Sequence, residues 1–520
     1  MNVLKNIKEN ITASDKKVFL TACIAGFITH GFRLANKFYC EDSFNYLNTI
    51  SVSWTTSIGR FLLRLVENVR GPYEITWLIG VLSILWIAIA SVLTVRTLDI
   101  KGGFGKYIVP CIMVCNPAVT ATFAYMYTAD GYFFGLMMSV LAAYFVCIKR
   151  RKRDVVYASL FLTISMAFYQ AYLSVTIVAL MISLVVMTLD PEKSFKDVGK
   201  EAGRYSLMGI IGMALYYPSM KIAMKLEGIE LINYMGIADD QKFDAGRIKS
   251  IFVNSYIEFA RFYLVRKKIS FYNVSNVVVF VIIGILVAVL LVKGCHGSKR
   301  KNYAPAWRIA VLLLLGLLLP VATHIFFVIS PDVSYISAIM AYSMCLIYIL
   351  PVVLWEKTDP VVRDRFKSVS LAGMIFLWLI AIHFTVIAGQ AYETMYRANV
   401  NVMNELNRIV TRMEMIPGYD PEMEIAVFGN TYQEPEYVKS APMMPGVVSN
   451  KFLTYPDTYV SAINWFLSAD YGKANKERMT ELAATKEFSE MKKWPEEGSL
   501  RIIDGTMVIF LDDNDIEDYQ

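Results

Sequence analysis

Charge is scarce in this sequence. Of 520 residues, 18% are Asp, Glu, Lys or Arg and 56% are apolar, whereas a soluble domain carries roughly 25% charged and about 45–50% apolar residues. That shortage excludes a soluble enzyme. The net charge is only +6, from 51 Lys+Arg over 45 Asp+Glu, with no basic tail or basic stripe interleaved with aromatics, so nucleic acid is not an expected partner. The seven cysteines form no CxxC pair and no Cys/His metal spacing. Five of them (Cys23, Cys111, Cys115, Cys147 and Cys345) sit in apolar segments, where a thiol behaves as a small hydrophobe. No zinc, haem or P-loop motif occurs, and Gly102-Gly103-Phe104-Gly105 is too short for a phosphate cradle. There is no internal repeat and no low-complexity tract. The apolar stretch after Lys5, Lys8, Lys16 and Lys17 lacks a small-residue cleavage site, which predicts a retained first helix ending near His30-Gly31-Phe32-Arg33.

What is present in quantity is long hydrophobic runs. Val274–Val292, Ile309–Ile329 and Leu371–Ala388 are nearly free of charge over about 18–20 residues, enough to span a bilayer as a helix. The pattern predicts a polytopic α-helical membrane protein with about eleven spans, near 18–35, 74–97, 107–127, 131–148, 155–169, 171–189, 205–224, 274–292, 307–329, 334–354 and 369–389. The fifth and sixth are broken only around Tyr169–Gln170. Two crossings there put the cations on one side: Lys101 and Lys106; Lys149–Arg153; Lys193, Lys196, Lys200 and Arg204; Lys293, Lys299, Arg300 and Lys301; Lys357, Arg363, Arg365 and Lys367. The short turns at 128–130, 169–171 and 330–333 carry none. By the positive-inside rule the N-terminus is cytoplasmic and the C-terminus outside.

Residues 1–390 thus read as a membrane module and 391–520 as a small extracytoplasmic α/β domain. Outer loops of the module fall at about 36–73 and 225–273. In the first, Asn45–Ile50 and Thr55–Val69 have helical periodicity, with Phe61, Leu62, Leu65 and Val66 opposite Arg60, Arg64 and Glu67, which suits amphipathic helices in the interface. The second mixes Phe252, Tyr256, Phe259, Phe262 and Tyr263 with charge and ends in Arg266-Lys267-Lys268. The tail offers helices near 395–414 and 475–493, strands at Glu424–Phe428 and Arg501–Leu511, turns at Pro435, Pro442 and Pro445, and an acidic end, Asp512-Asp513-Asn514-Asp515.

In so apolar a chain, polar residues at the outer face are the candidates for chemistry. Glu41 and Asp42 follow the first span. One carboxylate of such a pair can act as a general base, because its neighbour raises its pKa; the pair can equally cap the next helix. Arg60 can clamp a phosphate through its planar fork. Arg266, Lys267 and Lys268 offer a second cationic site or a contact with anionic lipid heads. Asp130 suits substrate binding or a turn. Tyr169 and Gln170 could bind sugar hydroxyls or satisfy the broken helix, and Trp54 is a sugar platform or an interfacial tryptophan. His324, with no acid or histidine four residues away, reads as a hydrogen-bonded core residue. No metal-ligand set appears.

Tyr39-Cys40-Glu41-Asp42, Trp54, Ile58-Gly59-Arg60-Phe61, Tyr127-Thr128-Ala129-Asp130-Gly131-Tyr132 and Ala167-Phe168-Tyr169-Gln170-Ala171-Tyr172 together resemble the bacterial and phage glucosyltransferase II family, serotype-converting enzymes of the GT-C class. The resemblance covers roughly residues 18–390. It implies a polyprenyl-phosphate hexose donor such as undecaprenyl-phosphate glucose and a cell-envelope glycan acceptor. It also implies a functional link to a donor-making synthase and a small flippase. Carried over, Asp42 is the base and Glu41 its partner, and inverting transfer is expected; whether a divalent cation assists the carboxylates stays open. The chief rival is a lipid-linked sugar flippase or transporter, which should show paired charges within spans and related halves. A non-catalytic membrane partner is the third reading.

Overall fold

The computed structural model describes residues 11–40, 42–44, 53–71, 73–149, 151–234, 236, 244–264, 270–297, 305–330, 336–430, 453, 456–514 and 516. The chain divides into two compact units: Met1–Asn36 with Ile50–Gly389, and Lys37–Thr49 with Gln390–Ala441 and Val448–Gln520. The loop expected at 36–73 is therefore shared between them.

The first unit is helical. Its elements are α1 (Ala13–Ala35), α2 (Trp54–Ser57), α3 (Leu63–Arg70), α4 (Thr76–Thr97), α5 (Gly103–Cys115), α6 (Pro117–Ala124), α7 (Met126–Tyr144), α8 (Lys152–Phe168) and α9 (Leu173–Leu189). There follow α10 (Phe195–Glu227), α11 (Ala245–Tyr263), α12 (Phe271–Gly297), α13 (Pro305–Thr323), α14 (Phe326–Ile329), α15 (Leu350–Lys357), α16 (Pro360–Arg365) and α17 (Lys367–Glu414), whose last part belongs to the second unit. Nine helices among the described residues are long and apolar enough to cross a membrane. The protein is a polytopic, mainly α-helical membrane protein.

Many polar groups inside these helices are spent internally, as a hydrocarbon environment demands. Ser83, Ser91 and Thr94 donate to carbonyls one turn back, at 2.7, 2.8 and 2.9 Å. Asn116 splices α5 to α6: its Oδ1 accepts from the Ala118 N–H at 3.0 Å and its Nδ2 donates to the Met113 carbonyl at 2.8 Å. His324 is buried with Nδ1 2.9 Å from the Thr323 hydroxyl.

Of three stretches, the first keeps the reversal expected at Tyr169–Gln170 and the other two need adjustment. The stretch 155–169 is the 17-residue helix α8, and its direction is fixed by α10. Ser159 donates to the Met208 carbonyl and Thr163 to the Gly212 carbonyl, both at 3.0 Å. An equal step of four on both helices means that they run parallel, so α9 between them returns and the chain reverses at Tyr169–Tyr172. The stretch 334–354 is not one α-helix: Ala338–Met340 and Tyr342–Tyr348 are 3-10 turns before α15. They are buried in protein, and Tyr263 donates to the Met344 carbonyl at 2.8 Å. The expected turn at 128–130 lies within α7.

The second unit contains β1 (Ile425–Phe428), α18 (Pro456–Leu467), α19 (Lys476–Ala483), α20 (Lys486–Ser489), β2 (Leu500–Ile503) and β3 (Thr506–Phe510). Sheet order is β1-β3-β2, with β1 parallel and β2 antiparallel to β3. Alternate residues serve opposite faces: Ile425, Val427, Met507 and Ile509 meet Leu406, Ile409 and Ile463, while Ala426, Phe428, Val508 and Phe510 meet Leu482 and Phe488. The single strand expected at Arg501–Leu511 is a hairpin. Asp504 and Gly505 turn it with φ of 47° and 76°, the primed two-residue turn that an Asp-Gly pair favours. The expected helix 475–493 is two short helices, and that at 395–414 is the end of α17. Asn45–Ile50 and the three turn prolines lie outside the described residues.

Candidate functional site

In the first unit the loop after α2 folds against α7, α8 and α10. After α2 the backbone turns through Gly59 at φ +85°, a conformation costly for residues with a Cβ. A Cβ there would lie 2.6 Å from Tyr216 Oη and 2.8 Å from Gln170 Nε2. These groups hold the turn: Gln170 Nε2 donates to the Ile58 carbonyl at 2.8 Å and Tyr216 Oη to the Gly59 carbonyl at 2.9 Å. Gln170 Nε2 also donates to Tyr216 Oη at 3.1 Å.

The turn delivers Arg60. Its Nη1 donates to Tyr132 Oη at 2.7 Å and its Nε to Gln170 Oε1 at 3.4 Å. Its guanidinium carbon lies 4.8 Å from the Tyr169 ring centre, and Tyr132 and Tyr169 are stacked 4.2 Å apart at 9°. Tyrosine faces attract a cation but do not neutralise it.

Neighbouring arginines differ. Arg33 pairs with Glu74 at 3.4 Å, Arg70 with Asp130 at 2.9 Å, and Arg64 with both Glu67 and Glu227 at 3.7 Å. Arg60 makes no ion pair among the described residues. A partly buried guanidinium with neutral neighbours is a ready site for a planar anion such as a phosphate, which it can bind through two parallel N–H bonds.

The carboxylates nearby are correspondingly engaged. Asp130 accepts from Arg70 and from the Gly131 N–H at 2.9 Å. Glu67, placed by periodicity on the polar face of its helix, is only 2% exposed and accepts from the Thr55 hydroxyl at 2.8 Å. Burial pushes its carboxyl above the usual carboxylate range, against the opposing pull of Thr55, Arg64 and Arg70.

Of the residues singled out from sequence, Arg60, Tyr169 and Gln170 come together. Gln170 and Tyr169 are buried, and the Gln170 amide is engaged with the loop. Trp54 meets Tyr234 edge-on at 5.7 Å. Asp130 is near them in the same unit but tied to Arg70. Asp42 is exposed and belongs to the second unit. Glu41, Arg266, Lys267 and Lys268 lie outside the described residues. Tyr216, Glu67, Arg70 and Arg33 escaped the sequence reading as site residues. For Arg33 and Arg70 the signal was available, since a charge beside an apolar span requires a partner.

Among the described residues no group of three His, Cys, Asp or Glu side chains could hold a metal ion. The family model described as Glucosyl transferase GtrII matches residues 31–344, more than half of the chain. No curated protein and no solved structure matches it.

Proposed function

The chain belongs to the glucosyl transferase GtrII family, and from that premise we propose that it moves a hexose, glucose by family, from polyprenyl phosphate to a cell-envelope glycan. The reaction takes place on the outer face of the cytoplasmic membrane, within a GT-C architecture of about eleven crossings. The N-terminus is cytoplasmic and the C-terminal unit outside. That the protein is a membrane-embedded glycosyltransferase follows from the family and the apolar helices; donor, acceptor and residue roles are the proposal.

The observation that carries it is Arg60, a cation held by tyrosines and an amide at the loop-bearing end of the bundle. Transfer from a lipid phosphate breaks the bond between the anomeric carbon and the phosphate oxygen, so negative charge grows on the leaving phosphate. Arg60 meets that charge where water is scarce and the interaction is strong. The acceptor hydroxyl loses its proton to Asp42 as its oxygen attacks the anomeric carbon, giving inversion. The base role of Asp42 is carried over from the family, and Glu67, Glu74 and Asp130 each pair with an arginine.

Membranes containing the protein, given polyprenyl phosphate bearing labelled hexose and cell-envelope glycan, test this. Labelled glycan formed from the lipid donor and not from a nucleotide sugar supports the proposal. Movement of the lipid-linked sugar across the membrane with no new glycosidic bond would replace it with the transporter.

A further inference from the structure

Lys37–Thr49 belongs to the second unit, and one buried amide on α17 pairs with its backbone there. Asn399, on α17, accepts from the Tyr39 N–H through Oδ1 at 2.8 Å and donates through Nδ2 to the Tyr39 carbonyl at 3.0 Å. The side chain thus pairs with both backbone groups of one residue, as a neighbouring strand would. Nδ2 also donates to the Met395 carbonyl at 2.9 Å, so both amide hydrogens are used and the amide can sit only one way round. Asn399 is buried, and an aliphatic side chain in its place would leave the Tyr39 groups without these partners.

The rest of the segment is pinned on both sides of Asp42. Upstream, Phe38 is buried with its ring 5.9 Å from that of Tyr396, and the Tyr39 ring lies edge-on to Phe466 at 5.4 Å. Downstream, Phe44 enters the core that contains Leu406 and Ile409. Between them the Ser43 N–H donates to the Cys40 carbonyl at 3.0 Å and the Cys40 N–H to Ser43 Oγ at 3.3 Å, closing a turn. Asp42 sits in that turn, exposed, and the contacts of Tyr39 and Phe44 on either side of it are with the C-terminal unit.

We propose that Asn399 is the positioning residue for Asp42. This rests on the reading of Asp42 as the base. A base must come within hydrogen-bond reach of the hydroxyl it deprotonates, and a displacement of about 1 Å can cost about 100-fold in rate. Asn399 touches neither sugar; it acts through the Tyr39 backbone three residues from the carboxylate.

The test uses the full chain in membranes with polyprenyl-phosphate hexose as donor, comparing wild type, Asn399→Ala, Asn399→Asp, Asp42→Asn and the double variant Asp42→Asn/Asn399→Ala. Asn399→Ala should lower kcat by about 10- to 100-fold with the donor KM unchanged. Asn399→Asp, which still accepts from the Tyr39 N–H, should recover part of the loss, and it carries the comparison if the alanine variant does not accumulate. The double variant should be no slower than Asp42→Asn alone, because residues acting as one unit are non-additive. Wild-type kcat in Asn399→Ala beside an inactive Asp42→Asn would overturn the inference and leave Asp42 as the base. A double variant much slower than Asp42→Asn would also overturn it, showing that Asn399 acts independently. An active Asp42→Asn would overturn the reading of Asp42 itself.

Discussion

The guanidinium of Arg60 lies 4.8 Å from the centre of the Tyr169 ring, with the Tyr132 ring stacked on the other tyrosine. Stacking and a hydroxyl hold the cation in one place without cancelling its charge, while Arg33, Arg64 and Arg70 nearby each meet a carboxylate. This division of labour separates arginines that fasten the loop from one that is available to an anion.

Arg60→Lys should therefore be a poor replacement, although it keeps the charge. An ammonium lacks the planar fork and stacks weakly on a tyrosine face. The donor KM should rise by roughly 10-fold or more, with the protein still folded. Donor titration in membranes checks this, and an unchanged KM would remove Arg60 from the phosphate site.

Gly59→Ala should damage the same site by another route. The new Cβ must take φ +85° and meets Tyr216 Oη at 2.6 Å, so the turn has to shift and carry Arg60 with it. Strain of this kind costs roughly 1–3 kcal/mol. Thermal unfolding in detergent should show the lower stability, and transfer should fall in parallel.

Asp130→Asn should behave as a folding defect and not as loss of a catalytic group. Asp130 and Arg70 are both nearly buried, and breaking such a pair from one side costs about 3–5 kcal/mol. The variant should accumulate poorly or unfold early, while the fraction that folds keeps the wild-type donor KM. A stable, inactive protein would contradict this.

Glu67 gives a pH signature. Its folded-state carboxyl titrates above the ordinary 4.5, so below about 4.5 it is protonated in folded and unfolded chains alike. As pH rises through the folded value, ionisation costs the folded state more than the unfolded one. Glu67→Gln should thus gain stability relative to wild type as pH rises above about 4.5. Paired thermal unfolding measurements across that range check the sign; a pH-independent difference would contradict it.

Much of the membrane part was legible because hydrocarbon permits few solutions. Runs such as Val274–Val292 had to be helices, and the break at Tyr169–Gln170 stood out where apolar character faltered. The segment 334–354 was not legible. Its apolar side chains suit a span equally well, and only partners such as Tyr263 satisfy a backbone wound as 3-10 turns. Glu67 was misplaced because periodicity over eight residues separates a polar face from an apolar one but cannot tell which packs inward: Glu67 is buried while Leu65 and Val69 are exposed. The Asp504-Gly505 turn was a readable signal, since Asp-Gly between apolar residues marks a tight hairpin. The pairing of Asn399 with Tyr39, 360 residues apart, leaves no trace in local pattern. Arg60 was recognised as a cation, but that it makes no ion pair among the described residues emerges only from where the other acids go.

The roles of Asp42 and Arg60 meet in one kinetic comparison: transfer of labelled hexose from polyprenyl phosphate by membranes carrying wild type, Asp42→Asn or Arg60→Ala at matched protein levels. Wild type should form labelled glycan, Asp42→Asn should lose kcat at an unchanged donor KM, and Arg60→Ala should raise that KM. Transfer at wild-type kcat and KM by both variants, or none by wild type from any polyprenyl-phosphate hexose, would contradict the proposed chemistry.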